Sequence, residues 1–266
     1  MAKTAEKVLV SYDDVGSSEP AILLLPVWCA DRSLYHGLVP RLVGRFRVLS
    51  MDWRGHGRSP AAPGEFGEKD LVEDAIGVIN RSGARRVIVV AQAHAGWVAI
   101  ALRRRLGSRI AGLVLLEWLV LGAPEALRAA LEGLQSPSQW REALNRVFAI
   151  WLAGSRDPRL TNFVRGRMGA HDYPMWARAA RAVQRAYTKY GSPLAALGRL
   201  DPPPPVLHLY AQPRTPGFLV AQQGFARSHE WFQVELLDAQ THFPVLERPE
   251  PIAQAIDRFA LHNALS

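Results

Sequence analysis

His242 stands in Gln240-Thr241-His242-Phe243-Pro244, between the expected last strand and the expected last helix. A loop histidine so placed suits general-base work, because imidazole exchanges its proton near neutral pH. Such a base needs an acid to fix its tautomer and to stabilise its charged form. The common place for that acid, after Leu209-Tyr210, holds Ala211-Gln212-Pro213-Arg214-Thr215 and no carboxylate. The end of the preceding strand supplies one instead, in Leu116-Glu117-Trp118, and Glu117 is read as the acid; the competing role is a carboxylate paired with an arginine. Val89-Val90-Ala91-Gln92-Ala93-His94-Ala95-Gly96-Trp97 reads as strand, sharp turn and helix, with small residues flanking Ala93. That is the elbow that elsewhere raises a nucleophile, but alanine has no nucleophilic atom and forms no acyl-enzyme. Cys29, the single cysteine, is a conceivable substitute and reads better as a small core residue. The backbone N–H groups of His94 and of Trp28, in the loop after Leu25, form the expected oxyanion hole. The His94 side chain is expected to point away from it.

These residues need elements to hold them. Val8–Tyr12, Ala21–Leu25, Arg47–Met51, Arg86–Val90, Gly112–Leu116, Pro205–Tyr210 and Gln233–Leu237 are short strand-like runs. Several are apolar throughout, as parallel strands covered on both faces must be. Asp13-Asp14-Val15-Gly16-Ser17-Ser18 is turn-rich and suited to closing a hairpin. Helical patterns at Leu71–Asn80, Gly96–Leu106 and Pro251–His262 alternate with the strands, which predicts an α/β fold with a mostly parallel central sheet flanked by helices. From 121 to 197 the pattern is helical only, with Trp140, Phe148 and Trp151, then Trp176, Val183 and Tyr187, at helical spacing. This reads as a helical cap inserted in a core made of residues 1–120 and 198–266, with Pro202-Pro203-Pro204-Pro205 returning the chain to the sheet. Asp52-Trp53-Arg54-Gly55-His56-Gly57-Arg58-Ser59 resembles the D-x-R-G-H-G-x-S loop of α/β-hydrolases, where the cap follows the sixth strand. In that loop His56 reads as an anchor.

The 266 residues carry a formal net charge of +8, which raises the question of nucleic acid. Apart from four lysines the positive charge is arginine scattered through helices, with no interleaved aromatic residues of a single-strand binding surface. No nucleic-acid partner is expected. No segment has the ~18–20 continuous apolar residues of a membrane span, so no membrane partner is expected either. MAKTAEKVLV lacks a secretory leader's apolar stretch, and a lone cysteine suits a reducing compartment; the expectation is cytoplasmic. No glycine-rich dinucleotide loop, phosphate loop or metal-ligand spacing is present, and neither a cofactor nor a metal is expected.

Over nearly its whole length the chain resembles the cofactor-independent dioxygenases that cleave 3-hydroxy-4(1H)-quinolones and quinaldines with release of carbon monoxide. Trp28-Cys29, Asp52–His56, His94 with Gly96-Trp97, Glu117-Trp118-Leu119, Met175-Trp176 with Arg178-Ala179, Gly191-Ser192-Pro193-Leu194, His208-Leu209-Tyr210 with Gln212-Pro213 and Thr241–Pro244 carry the resemblance. It implies that His242 removes the 3-hydroxyl proton, that Glu117 assists, and that O₂ attacks the resulting anion. It also implies a flat heterocycle between Trp151 and Trp176; an ordinary place in the cap core is the other role for each. The chain has Ala93 where the family has serine, Gln92 where it has histidine before that serine, Ala30 where it has a polar histidine, and Glu117 for the expected aspartate. Gln92, Ala93, Ala30, Trp151 and Trp176 are thus the expected substrate pocket, enlarged and less polar, suited to a longer alkyl chain at C2. The partners are a small aromatic heterocycle and O₂, with the protein a monomer or weak homo-oligomer. Other readings are a base-catalysed lyase, cyclase or isomerase, a non-catalytic small-molecule receptor, and, last, a hydrolase using His242 to activate water.

Overall fold

Strands with no polar face can exist only where both faces are covered, and the chain folds accordingly. The computed structural model describes residues 8–62 and 64–264; the segment before residue 8, part of the expected leaderless N-terminus, lies outside them. In chain order come β1 (Tyr12–Val15), β2 (Ala21–Leu25), α1 (Val39–Leu42), β3 (Val48–Met51), α2 (Glu68–Ser82), β4 (Val87–Gln92), α3 (Ala95–Leu106) and β5 (Ile110–Leu116). Then follow α4 (Glu125–Gln135), α5 (Trp140–Leu152), α6 (Pro158–Thr161), α7 (Tyr173–Tyr190) and α8 (Pro193–Leu197). The chain returns through β6 (Val206–Tyr210), α9 (Pro216–Ser228), β7 (Phe232–Leu236), α10 (Pro244–Glu247) and α11 (Pro249–Ala264). The strands form one sheet in the order β1-β3-β2-β4-β5-β6-β7, antiparallel at β1 and parallel elsewhere. Every residue of β2, β3, β4 and β6 is buried, whereas the edge strands β1 and β7 keep exposed positions.

The first strand differs from expectation. Val8–Ser11 forms no strand, and Asp13 and Asp14, read as turn, lie within β1. Nor is the following turn a hairpin to β2, since β1 pairs with β3. Charge explains the difference. Arg47 holds both Asp14 carboxylate oxygens at 2.8 and 2.7 Å, and Arg32 meets Asp13 at 3.0 Å, so two acidic residues are tolerated in an edge strand. The other strands fall within two residues of their expected bounds.

The helical stretch leaves β5 and enters β6, the fifth and sixth strands in this chain's count. In it α4 packs on both α5 and α7. Among the described residues no helix is long and apolar enough to cross a membrane.

Candidate active site

The ends of β4 and β5 and the loops after β2 and β7 converge at the carboxyl-terminal edge of the sheet, across the strand ends. Non-glycine residues with positive φ cost roughly 1–2 kcal/mol each, so they persist only where the surroundings fix them. The described residues include four: Cys29 (φ 62), Ala93 (φ 50), Glu117 (φ 51) and Ala153 (φ 46). All four lie around this edge. Cys29 N–H donates to His56 Nε2 at 3.0 Å, Ala93 N–H to Leu116 O at 2.7 Å and Glu117 N–H to Leu209 O at 2.8 Å. Ala153 ends α5, and its carbonyl accepts from the Gln240 amide at 3.0 Å.

The elbow is built as its sequence implies. β4 ends at Gln92, Ala93 makes the turn, and α3 leaves at Ala95. Gly96 must stay small, because a Cβ there would fall within the Trp118 ring. The methyl of Ala93 occupies the nucleophile position.

His242 lies opposite Glu117, with Nδ1 3.7 Å from Glu117 Oε1. Glu117 is buried, and an unpaired buried carboxylate is costly. Its oxygens accept from the backbone N–H groups of Ala211, at 2.6 Å, and Gln212, at 2.8 Å. The loop that lacks a carboxylate thus holds the one supplied by β5. This removes the alternative in which an arginine pairs with Glu117: its partners are main-chain donors and His242. The His242 ring stacks on Trp151, with centroids 5.0 Å apart and planes at 8°, and the main-chain N–H of His242 donates to Trp151 O at 2.8 Å. That carbonyl sits in the last turn of α5, where helix carbonyls lack intrahelical partners.

Two expectations need correction. Trp28 N–H is not a free oxyanion donor, because it donates to His94 Nε2 at 3.2 Å. His94 consequently does not point away: its ring lines the same cavity as Trp28. Burial, with the neighbouring His242 adding to it, pushes the His94 imidazole down to about 3, so it is neutral with its proton on Nδ1. The His94 main-chain N–H, by contrast, meets no acceptor among the described residues.

The second correction concerns the pocket. A cavity of about 240 Å³ runs from Trp28 and His94 between α4, α5 and α7, and Trp151 and Trp176 are on its wall. Gln92, Ala93 and Ala30 are not. Gln92 is fully buried at the end of β4, and its amide donates to His242 O at 2.9 Å while its Oε1 has no partner. Ala30 closes a tight turn, its N–H on Val27 O at 3.1 Å, and Ala93 is covered in the elbow. The rest of the wall is aliphatic, with Leu127, Leu131 and Leu134 from α4, Val147 and Ile150 from α5, and Val183 from α7. The Trp176 indole N–H is buried without a partner beside it. These aliphatic lining positions were missed because they look like ordinary cap core; their helical spacing was the one available signal.

Two further histidines, His56 and His208, are buried and hydrogen-bonded within the frame of the site. His56 Nδ1 donates to Arg54 O at 2.9 Å and Nε2 accepts from Cys29, so the D-x-R-G-H-G-x-S loop fixes the strained turn after Trp28. Asp52 does the same one step on, accepting from the N–H groups of Arg32 at 2.7 Å and Arg58 at 2.9 Å. His208 bridges Trp118 N–H and the Gln222 side chain inside the core. Cys29 is buried, and burial raises its thiol pKa, which disfavours the thiolate a nucleophile needs.

Comparison with known proteins places the fold in a family. The model of the alpha/beta hydrolase family matches residues 22–255. The 2-heptyl-3-hydroxy-4(1H)-quinolone dioxygenase of Mycobacteroides abscessus is 33% identical over 97% of both chains. The 1H-3-hydroxy-4-oxoquinoline 2,4-dioxygenase of Pseudomonas putida is 32% identical over 94% of this chain and 96% of its own. The solved structure of an AqdC variant in complex with its substrate, the Pseudomonas quinolone signal, superposes with a TM-score of 0.92 at 32% identity, covering 97% of this chain and 98% of that one.

Proposed function

The chain belongs to the α/β-hydrolase family and, within it, to the 3-hydroxy-4-quinolone 2,4-dioxygenases, and we propose from this that it cleaves a 2-alkyl-3-hydroxy-4(1H)-quinolone with O₂. The observation that carries the reading is a half-buried base, His242, facing a buried acid, Glu117, and stacked on Trp151 of the cavity wall, with a methyl group where a nucleophile would stand. Such a site can remove a proton and cannot acylate.

The electrons balance without a resident redox group, because the substrate anion supplies them. His242 takes the 3-hydroxyl proton, and Glu117, facing Nδ1, stabilises the imidazolium that forms. O₂ bonds to C2 of the anion, and the distal peroxide oxygen closes on the C4 carbonyl. The O–O, C2–C3 and C3–C4 bonds then break, and C3 leaves as carbon monoxide with the oxygen it already carried. One oxygen of O₂ ends in an amide at C2 and the other in a carboxylate at C4. The free N–H of His94 is the donor available to developing negative charge, and Trp28 N–H joins it only if His94 Nε2 releases it. Trp151 and Trp176 offer faces to the flat ring, and the unpartnered Trp176 N–H offers a donor to it. The aliphatic stretch between α4, α5 and α7 takes the C2 alkyl chain.

In this reading residues 121–197 act as a cap over a core of 1–120 and 198–266, and the protein works in the cytoplasm as a monomer or weak homo-oligomer. The test is to supply 2-heptyl-3-hydroxy-4(1H)-quinolone under ¹⁸O₂ and to measure carbon monoxide and the product. One ¹⁸O in the amide, one in the carboxylate and none in the carbon monoxide is the expected result. Turnover under argon, or tight binding without turnover under air, overturns the reading in favour of a lyase or a receptor.

A further inference from the structure

Ring cleavage converts a neutral heterocycle into an anion, since C4 becomes the carboxylate carbon of an N-acylanthranilate. This inference rests on the dioxygenase reading. An apolar cavity is a poor home for that charge, and release is eased by a cationic surface close to it.

α7 has two chemically different faces. Trp176, Ala180 and Val183 face the cavity. Arg178, Arg181 and Arg185 instead line a separate groove, against Phe66 and the first turn of α2. The groove holds about 340 Å³, and its wall carries Lys69, Arg178, Arg181, Arg185 and Lys189 against Glu65, Glu68 and Asp70. Glu65 is already shared by Arg178 and Arg181, at 3.2 Å each, and Asp70 is held by Arg54 at 3.2 Å. Positive charge is therefore in excess. Arg178 Nε is also buried without a partner.

A cleft of about 10 Å³ lies between the two spaces. It shares Trp28, His94 and Val183 with the cavity, and Glu68 and Ala182 with the groove. A ladder of flat groups runs the same way: Trp28 stacks on Phe66 at 5.6 Å and 3°, and the Arg178 guanidinium lies over the Phe66 ring at 4.4 Å.

We propose that the groove between α2 and α7 is the exit site of the anionic N-acylanthranilate product, whose carboxylate Arg178, Arg181 and Arg185 draw through the neck at Glu68 and Ala182. The neutral substrate gains nothing from these cations, so they favour departure over entry. Glu68 is the carboxylate at the neck, and it opposes passage weakly: burial raises its pKa, and Lys189 and Arg104 face it. The neck is too narrow for an aromatic ring at rest, so Ala182 and Val183 must move away from Glu68 as the product passes.

The test titrates N-octanoylanthranilate and its uncharged carboxamide into the wild type and an Arg181→Ala/Arg185→Ala double variant. The carboxylate should bind the double variant at least fivefold more weakly, with the carboxamide affinity and the quinolone KM within twofold of wild type. Ala182→Phe should leave the single-turnover rate intact and slow multiple turnover. Equal binding of carboxylate and carboxamide by the wild type, or undiminished carboxylate binding by the double variant, overturns the exit site. Carbon monoxide evolution by the wild type separates the two levels: its presence without charge-dependent product binding defeats the exit site alone, and its absence defeats the reading beneath it.

Discussion

The Gln92 side-chain amide donates to the main-chain carbonyl of His242 at 2.9 Å, so the last residue of β4 holds the His242 loop from behind. A bond to the main chain of the base fixes where its imidazole sits rather than its chemistry. Small displacements of a reacting group cost large factors in rate. Gln92→Leu should therefore lower kcat by about tenfold with KM little changed. Stability should hardly fall, because the substitution also removes the unpartnered buried Oε1. Steady-state kinetics beside a thermal melt checks this, and an equal loss in both would give Gln92 a purely structural role.

Glu117 accepts two main-chain N–H bonds and faces His242 Nδ1, and only a carboxylate does all three without turning a donor toward a donor. In Glu117→Gln the amide NH₂ meets either Ala211 N–H, Gln212 N–H or the His242 ring. The imidazolium also loses its counter-charge. By analogy with hydrolytic triads, kcat should fall by about 10²–10⁴-fold. Single-turnover kinetics in excess enzyme would separate this from weaker binding, and a loss confined to KM would take Glu117 out of proton transfer.

Three imidazoles are held neutral by burial: His56 and His208 at about 4, and His94 at about 3. The unfolded chain protonates them near 6.5 and the folded protein does not. Above that pH both states are neutral and the three make no difference to stability. As pH falls from 6.5 toward 4 the unfolded state binds protons that the native state refuses, and stability drops, on the order of 3 kcal/mol per group at full effect. The melting temperature should accordingly decline steeply between those values. His208→Gln should flatten that decline while lowering the melt at neutral pH, because Trp118 N–H and Gln222 lose their bridge.

Much of this was legible in the sequence because it depends on local pattern. The largely apolar runs at Ala21–Leu25 and Arg86–Val90 marked central strands, and the small residues around Ala93 marked the elbow. Glu117 was found because an acid was missing elsewhere. What could not be read is how that missing acid is replaced: the N–H donors of Ala211 and Gln212 have no side-chain signature. The two failures have one cause, since sequence does not say which way a side chain turns. His94 folds back to accept from Trp28, and Gln92 turns beneath His242 instead of into the cavity.

Ala93→Ser restores a hydroxyl to the elbow but not a hydrolase. Serine at that position is activated by a base within hydrogen-bond reach and served by an oxyanion hole, and here Trp28 N–H is taken by His94. Dioxygenase turnover should change by less than about threefold, and activity on p-nitrophenyl esters should stay at background. A burst of p-nitrophenol would mean that His242 reaches the elbow and that the missing nucleophile alone separates the two chemistries.

The aliphatic wall between α4, α5 and α7 makes chain length an energetic question. Each methylene moved from water into such a wall is worth about 0.8 kcal/mol, roughly fourfold in kcat/KM. Along a series of 2-alkyl-3-hydroxy-4(1H)-quinolones from methyl to heptyl, kcat/KM should climb by about that factor per carbon until the cavity is full. Ala130→Leu places three more carbons on the part of the wall that α4 supplies. It should raise KM for the heptyl substrate several-fold and leave the methyl substrate alone, because only the long chain reaches α4. An equal loss for both would put the alkyl chain elsewhere, and Ile150, exposed at the rim, would then mark an entrance rather than the end of the chain's path.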